Sequence, residues 1–210
     1  EQSTNVAGGA KFVQFEAGLI VTPRATGLPV ALGGDIYSHY NSHLGGFGGS
    51  YGYPTSNQRI YSVSDGGALQ FFQNGIVFAS DAADSVAGML FSSPIYAKYN
   101  STEGGIYGWL GYPVGDELTA SDGSRSQRFQ HGVMMATPSG TVTALPASSY
   151  DLYASLGAAG GSLGAQTSPT RSYSANGGGS LSFFERGLIT ETQSGEIAAS
   201  LNYGSPVYAK

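Results

Sequence analysis

The chain repeats one short motif four times: a Phe, then Glu or Gln, then any residue, then Gly. The copies are Phe15-Glu16-Ala17-Gly18, Phe72-Gln73-Asn74-Gly75, Phe129-Gln130-His131-Gly132 and Phe184-Glu185-Arg186-Gly187. Their phenylalanines follow one another at intervals of 57, 57 and 55 residues. A near-constant period is typical of a tandem repeat, in which each unit needs its neighbours to bury its apolar face. We therefore predict one repeat domain over residues 1–210, with approximate units 1–56, 57–115, 116–168 and an incomplete 169–210.

The surroundings of each motif predict a β-hairpin. A Gly-Gly or Asx-Gly turn signal stands seven or eight residues before each Phe, a β-prone segment leads into the Phe, and an apolar pair follows the Gly. The first strands of these hairpins are predicted at Lys11 to Phe15, Ala68 to Phe72, Arg125 to Phe129 and Ser180 to Phe184. Since a residue kept in every unit is what stacking requires, we expect all four Phe side chains in the core.

Two further kinds of segment recur. Short β-prone stretches predict a second hairpin half at residues 85–89, 141–145 and 196–201. Tyr-bearing stretches predict short helices at residues 35–40, 95–99, 150–154 and 205–210, which must dock on the sheets because isolated helices of this length are marginal. The predicted fold is mostly β, with about four hairpin modules and short connecting helices, and propeller-like. An open, solenoid-like stack is the alternative.

Composition excludes several classes of function. The chain is 40% apolar and 12% aromatic, which is enough for a core, and its charged fraction of 11% is less than half of the usual share of about 25%. With a net charge of −5 and scattered basic residues, it offers no basic stripe for nucleic acid. No apolar run approaches the roughly 18 residues of a membrane span, so no membrane insertion is expected.

The absence of cysteine excludes disulfides, thiolate nucleophiles and Cys-ligated zinc. Low charge with abundant Gly, Ser, Thr and Tyr suits a secreted protein that faces a cell wall. The chain opens without Met, which leads us to expect a targeting signal further upstream.

Gly- and Pro-rich connectors join the units. The second connector is Gly104-Gly105-Ile106-Tyr107-Gly108-Trp109-Leu110-Gly111-Tyr112-Pro113-Val114-Gly115-Asp116-Glu117, and Ser126-Gln127-Arg128-Phe129-Gln130-His131-Gly132-Val133 follows it. Together they resemble the LGFP repeat family, and the resemblance extends over nearly the whole chain. The third connector departs from the pattern because Ala165-Gln166 replaces aromatic-Pro, so a ligand subsite built on that aromatic is not expected there.

The resemblance implies a function as well as a fold. Similar repeats form C-terminal modules of secreted actinobacterial enzymes, where they are thought to hold the enzyme to cell-wall polysaccharide. It therefore implies a non-catalytic anchoring module without cofactor, a glycan partner of the arabinogalactan or peptidoglycan type, and a catalytic domain elsewhere in a longer protein. Two alternatives remain open: a structural or protein-interaction repeat domain, and a glycan- or ester-hydrolysing enzyme.

The candidate ligand-binding residues are connector aromatics: Tyr51, Tyr53, Tyr107, Trp109 and Tyr112. Sugar rings stack their C–H faces on aromatic faces, and aromatics held on rigid Gly/Pro loops suit weak, repeated glycan contacts. Alternatively, the repeat-equivalent Tyr53 and Tyr112 pack one unit against the next. Burial separates the two possibilities, because binding requires Trp109 and its neighbours to be at least half exposed in a groove.

Asp116 is a further ligand-binding candidate, since it and Glu117 could bind glycan hydroxyls. A hydrolase would need two carboxyls facing each other at about 5 to 10 Å, and no partner is placed opposite this pair, which favours a turn or solvated role. His39 and His43 are spaced like a helical zinc pair, but Tyr40 stands where a zincin carries Glu. We therefore predict neither catalytic nor metal-binding residues. A hydrolase would require carboxylates or a Ser–His pair to converge in one pocket.

Overall fold

The computed structural model describes the backbone of residues 2–4 and 9–202. The chain divides into two compact units. The first consists of Glu1–Ala120 with Gln127–Gln130, and the second of Ser121–Ser126 with His131–Lys210.

Sixteen strands in the described part form four antiparallel sheets, and the four strands of each sheet lie in chain order. The first sheet contains β1 (Gln2–Thr4), β2 (Ala10–Phe15), β3 (Gly18–Pro23) and β4 (Val30–Gly33). The second contains β5 (Arg59–Tyr61), β6 (Gly67–Phe71), β7 (Gly75–Ser80) and β8 (Ser85–Leu90). The third contains β9 (Leu118–Thr119), β10 (Arg125–Arg128), β11 (Gly132–Ala136) and β12 (Val142–Pro146). The fourth contains β13 (Arg171–Tyr173), β14 (Gly179–Phe183), β15 (Gly187–Thr192) and β16 (Ile197–Asn202).

The prediction of a mostly-β repeat with four modules is confirmed, and each module is a four-stranded antiparallel sheet of the kind that forms a propeller blade. The predicted hairpins coincide with β2–β3, β6–β7, β10–β11 and β14–β15, and the predicted second halves with β8, β12 and β16. The sequence analysis missed β4 and the outer strands β1, β5, β9 and β13. These strands are two to four residues long, too short to show a period-two pattern.

The Phe motif closes the central hairpin of each module. In the second module the backbone N–H of Phe72 donates to the carbonyl of Gly75 at 2.8 Å. A side chain at Gly75 has no space, because an added Cβ would lie 2.5 Å from the carbonyl oxygen of Met89 on the next strand. The Gly of the motif is therefore required by close approach of β7 and β8.

Three helices follow the first three sheets: α1 (Gly34–Ser42), α2 (Pro94–Ser101) and α3 (Ala147–Ser155). They confirm the helices predicted at 35–40, 95–99 and 150–154, whereas the one predicted at 205–210 lies outside the described residues. At α2 the Ser93 Oγ accepts the N–H of Ile95 at 3.1 Å, and Pro94 occupies the first turn. Each helix buries two positions four apart, of which the second is always Tyr.

That buried Tyr joins its helix to the next connector and the next hairpin. The rings pair with the motif phenylalanines at 4.7 to 4.8 Å: Tyr40 with Phe72, Tyr99 with Phe129 and Tyr153 with Phe184. The hydroxyls donate to connector carbonyls at 2.7, 2.7 and 2.9 Å: Tyr40 to Gly52, Tyr99 to Gly111 and Tyr153 to Gly164. The same three-way contact thus occurs once per connector.

The expectation of four core phenylalanines is correct for three. Phe72, Phe129 and Phe184 are at most 3% exposed, but Phe15 is 53% exposed. The difference has a physical cause: each buried Phe is covered by a helix Tyr and a connector, and no described residue covers Phe15 in this way.

Among the described residues, no helix reaches the length and apolarity that crossing a bilayer requires.

Candidate functional site

The three connectors present their side chains from a tightly fixed backbone. Each contains a 3₁₀ turn, at Gly46–Gly48, Gly105–Tyr107 and Ala158–Gly160. In the second connector Gly104 precedes the turn with φ +84°, and Ser64 donates from its hydroxyl to the carbonyl of Ile106 at 2.6 Å. The backbone of this turn is therefore fixed, so the side chains that it carries have little freedom to change position.

Three of the candidate binding aromatics are buried, which corrects the set drawn from the sequence. Tyr53 and Tyr112 are 0% exposed and Tyr51 is 7% exposed. Their slots are made by glycines: an added Cβ at Gly67 would meet the Tyr112 ring at 2.9 Å, and one at Gly75 would meet Tyr51 at 2.7 Å. These rings pack the connectors onto neighbouring strands and offer no free face to a sugar.

Burial also changes the ionisation of these hydroxyls. It raises the pKa of Tyr112 to about 12, with smaller contributions from Asp81, Tyr61 and Tyr107. Burial, followed by the charges of Asp116 and Glu117, raises the pKa of Tyr51 as well. Both groups are therefore neutral at ordinary pH.

Tyr107 and Trp109 remain exposed, at 70% and 45%. Tyr107 exceeds the half exposure that binding requires, and Trp109 falls slightly short of it. The Trp109 indole N–H donates to Glu103 Oε2 at 2.8 Å, and Lys98 Nζ lies 3.7 Å from the other carboxylate oxygen. The Tyr107 ring meets Tyr61 edge to face at 6.3 Å. Both aromatics are thus held by polar or ring contacts while part of their surface faces solvent.

Asp116 forms a structural clip. Its Oδ1 accepts a 2.7 Å hydrogen bond from the backbone N–H of Gly88 and lies 3.0 Å from His39 Nε2. Burial alone would raise the pKa of this carboxyl, but the hydrogen bonds from His39 and Gly88, together with the nearby His39 and His43 rings, outweigh burial, so its pKa lies below the usual range. The carboxylate joins α1, β8 and the second connector, and one oxygen is therefore committed within the protein.

A family model for the LGFP repeat matches residues 110–161, a segment that runs from Leu110 through the third Phe motif to Gly161. The matched segment is 52 of the 210 residues, about a quarter of the chain. The resemblance drawn from the sequence is thereby confirmed for this segment, and the LGFP repeat is a repeat module.

The comparisons with curated proteins and with solved structures suggest no further family. No curated protein matches the chain. Among solved structures, a virginiamycin B lyase from Staphylococcus aureus is 11% identical with a TM-score of 0.17, over 98% of this chain and 60% of the lyase. The extracellular domain of a hybrid two-component system from B. thetaiotaomicron is 13% identical with a TM-score of 0.20, over 90% of this chain and 22% of that protein. At scores this low, no property of either protein is transferred.

A Ser–His contact does occur in the first module, at the end of α1. Ser42 Oγ lies 2.7 Å from His43 Nδ1, and the His43 ring stacks on His39 at 4.7 Å. These residues line an open groove of about 540 Å³ together with Asp35, Asp81 and Asp84. The hydrolase alternative required such a Ser–His pair in one pocket.

The contact does not have the geometry of a triad. The Ser42 hydroxyl donates to the Ser38 carbonyl at 2.6 Å, so His43 meets an oxygen whose proton is already committed elsewhere. The carboxylate of Asp116 bonds to His39, the other imidazole. The Ser42–His43 contact lies at the C-terminal end of α1, where the helix dipole opposes a developing oxyanion. The Ser42 hydroxyl is therefore not oriented toward His43 as a base, and the helix dipole at this end disfavours an oxyanion.

No three His, Asp or Glu side chains within the described ranges are placed to hold a metal ion. His39 and His43, the pair spaced like zinc ligands, stack on each other face to face.

A further depression lies on the second module and was not found from the sequence. Phe71, Phe91 and Arg59 line a depression of about 400 Å³, which adjoins another of about 480 Å³ that also contains Phe91. The Arg59 guanidinium carbon lies 5.2 Å from the centre of the Phe71 ring. One sequence pattern could have predicted the contact of Arg59 with Phe71. Arg59 and Arg171 each stand twelve residues before the first Phe of a Phe-Phe pair.

Proposed function

We propose that this protein is a non-catalytic module that binds cell-wall polysaccharide and anchors a secreted protein to the wall. The observation that carries the proposal is the division of the connector aromatics. Tyr51, Tyr53 and Tyr112 are buried in packing slots, whereas Tyr107 and Trp109 are exposed on the rigid second connector. An exposed aromatic that is not needed for the core is suited to stack on the C–H face of a sugar ring.

The support for anchoring is stronger than that for the two alternatives. A purely structural or protein-interaction role, in which all the connector aromatics are core, does not account for the exposure of Tyr107 and Trp109. A hydrolase role lacks an oriented nucleophile, since the Ser42 proton is directed to a helix carbonyl. The match of residues 110–161 to a repeat family supports a repeat module.

Two weak contacts on one connector could suffice. Tyr107 and Trp109 can contact neighbouring sugars of one polymer, so that avidity raises retention without a single strong site. Arabinogalactan and peptidoglycan-type glycans are the partners we propose, with the wall as location.

Retention on insoluble arabinogalactan and on peptidoglycan tests the proposal. We expect the intact chain to be retained, and Trp109→Ala and Tyr107→Ala each to weaken retention about tenfold or less, since an aromatic stacking contact contributes about 0.5–1.5 kcal/mol. Phe15→Ala is the matched control, because it removes another exposed aromatic far from the connector in sequence. Absence of retention, or equal loss in all three variants, would refute the proposal.

A further inference from the structure

We infer that the depression between Phe71 and Phe91 is a separate subsite for a carboxylate-bearing sugar, with Arg59 as the residue that binds the carboxylate. The inference rests on the proposed function in taking the ligand to be a saccharide. It concerns other residues than Tyr107 and Trp109, and it assigns a charge to the ligand.

The first argument is the state of Arg59. Its side chain is exposed, and the contact that the structure gives it is the stacking on Phe71 at 5.2 Å. No carboxylate within the described residues pairs with it. A guanidinium stacked on an aromatic face keeps its in-plane N–H donors free, and those donors match the two oxygens of a carboxylate. The stacking also restrains the side chain, so less entropy is lost when an anion binds.

The second argument is the chemistry of the walls. The two adjoining depressions are lined by hydroxyl, amide and aromatic side chains and contain no carboxylate. Phe91 is 37% exposed and offers an apolar face, while Thr55 and Ser56 offer hydroxyl groups near Arg59. An acidic pyranose carries the groups that complement these walls. Its carboxylate matches Arg59, its hydroxyls match the side-chain hydroxyls, and its apolar C–H face matches the Phe91 ring.

The third argument is that the depression is preformed. The backbone N–H of Thr55 donates to the carbonyl of Phe71 at 2.8 Å, and Ser56 Oγ accepts from the N–H of Phe71 at 3.2 Å. The Phe91 N–H donates to the carbonyl of Asn74 at 2.8 Å, and the Phe91 ring packs at 5.1 Å against Tyr96 of α2. Connector, hairpin and helix therefore fix the walls before a ligand arrives, and the volumes lie within the range of small-ligand sites.

A similar stacked pair elsewhere in the chain supplies the control. Arg171 lies 5.5 Å from the centre of the Phe183 ring in the fourth module, within the second compact unit. If stacking of Arg on Phe served only to cover the Phe ring, both pairs would behave alike towards an acidic sugar.

The experiment measures binding of trigalacturonate and of its methyl ester by calorimetry, with a glucuronate-containing hyaluronan tetrasaccharide as a second acidic probe. We expect at least one acidic probe to bind, the ester of trigalacturonate to bind about tenfold or more weakly than the acid, and added salt to weaken binding. Arg59→Gln should weaken binding of the acid about tenfold, and Phe91→Ala should weaken binding of both acid and ester. Arg171→Gln should leave binding unchanged.

Several results would overturn the inference: no binding of either acidic probe, equal binding of acid and ester, or equal losses in the Arg59 and Arg171 variants. Each variant is checked for its denaturation midpoint, and Arg59→Lys, which keeps the charge but not the planar fork, should lose part of the affinity. If the acidic probes fail while Trp109→Ala still loses wall retention, the subsite is refuted and the proposed function stands. If wall retention fails but trigalacturonate binds through Arg59, the proposed function is refuted and the subsite stands.

Discussion

At the scale of single residues, each position of the Phe motif has a separate physical task. The Phe stacks under a helix Tyr in three of four modules. The following Gln binds the connector, because the Oε1 atoms of Gln73 and Gln130 accept the N–H of Tyr53 and Tyr112, both at 2.8 Å. The motif is therefore a device for fastening the connector to the hairpin, and its repetition reflects assembly of the core.

A first prediction at this scale concerns Tyr99. Tyr99→Phe removes the hydrogen bond to Gly111 and leaves a buried carbonyl oxygen without its partner, while the ring packing on Phe129 is kept. We expect the free energy of unfolding to fall by about 1–3 kcal/mol, measured by urea denaturation. Tyr107→Phe removes an exposed hydroxyl and should change the stability by no more than about 0.5 kcal/mol. Equal effects in the two variants would contradict the role given to the buried bond.

At the scale of elements, the connectors depend on glycine where the backbone passes close to itself. An added Cβ at Gly108 would lie 1.6 Å from the carbonyl oxygen of Glu103, and the equivalent positions Gly49 and Gly161 would each meet a carbonyl oxygen at 1.8 Å. The same close approach thus follows every one of the three helices. This constraint, and not only backbone freedom, explains why the connectors are rich in glycine.

A second prediction follows for the connector. Gly108→Ala forces the turn to open, so we expect a loss of at least about 2 kcal/mol in the free energy of unfolding and weaker wall retention, because Tyr107 and Trp109 flank Gly108. Gly115→Ala in the same connector is the matched control, since an added Cβ there meets nothing within 4 Å. Thermal denaturation of the two variants compares them directly. A stable Gly108→Ala protein would show that the turn is not as tight as described.

At the scale of the whole molecule, both compact units carry tyrosines that resist ionisation. Burial, followed by the nearby acidic and Tyr side chains, raises the pKa of Tyr112 in the first unit to about 12. In the second unit burial raises the pKa of Tyr153 to about 12, with Glu185 and Tyr150 contributing. In the unfolded chain such a phenol loses its proton near pH 10.

A third prediction is therefore loss of stability at alkaline pH. Above pH 10 the unfolded chain binds fewer protons than the folded chain, so the free energy of unfolding decreases as pH rises. This part of the stability should be complete below about pH 10 and should be lost between about pH 10 and 12. Urea midpoints measured across that range, with phenolate absorbance at 295 nm, provide the test. Tyr153→Phe should flatten the pH dependence of the second unit; a midpoint independent of pH would contradict the prediction.

The sequence by itself determined the four-module repeat, the central hairpins and the three described helices. These features are local, because the turn glycines, the strand-forming runs and the Phe motif act within one unit. The same pattern recurs at a fixed interval, so the prediction for one unit supports the prediction for the next. The family likeness of residues 110–161 rests on the same short-range pattern. The two-to-four-residue outer strands escaped prediction because their pairing partners, not their own residues, make them strands.

Only the tertiary structure decided which aromatics are free. Tyr112 and Tyr107 stand five residues apart in one connector, yet one is 0% and the other 70% exposed. The difference comes from Gly67, which leaves a slot for Tyr112 from a strand 45 positions earlier in the chain. Similarly, the clip at Asp116 and the depression beneath Arg59 bring together side chains from separate elements. The exposure of a side chain and its contacts depend on residues that are distant in the sequence and pack against it. No local sequence pattern encodes them.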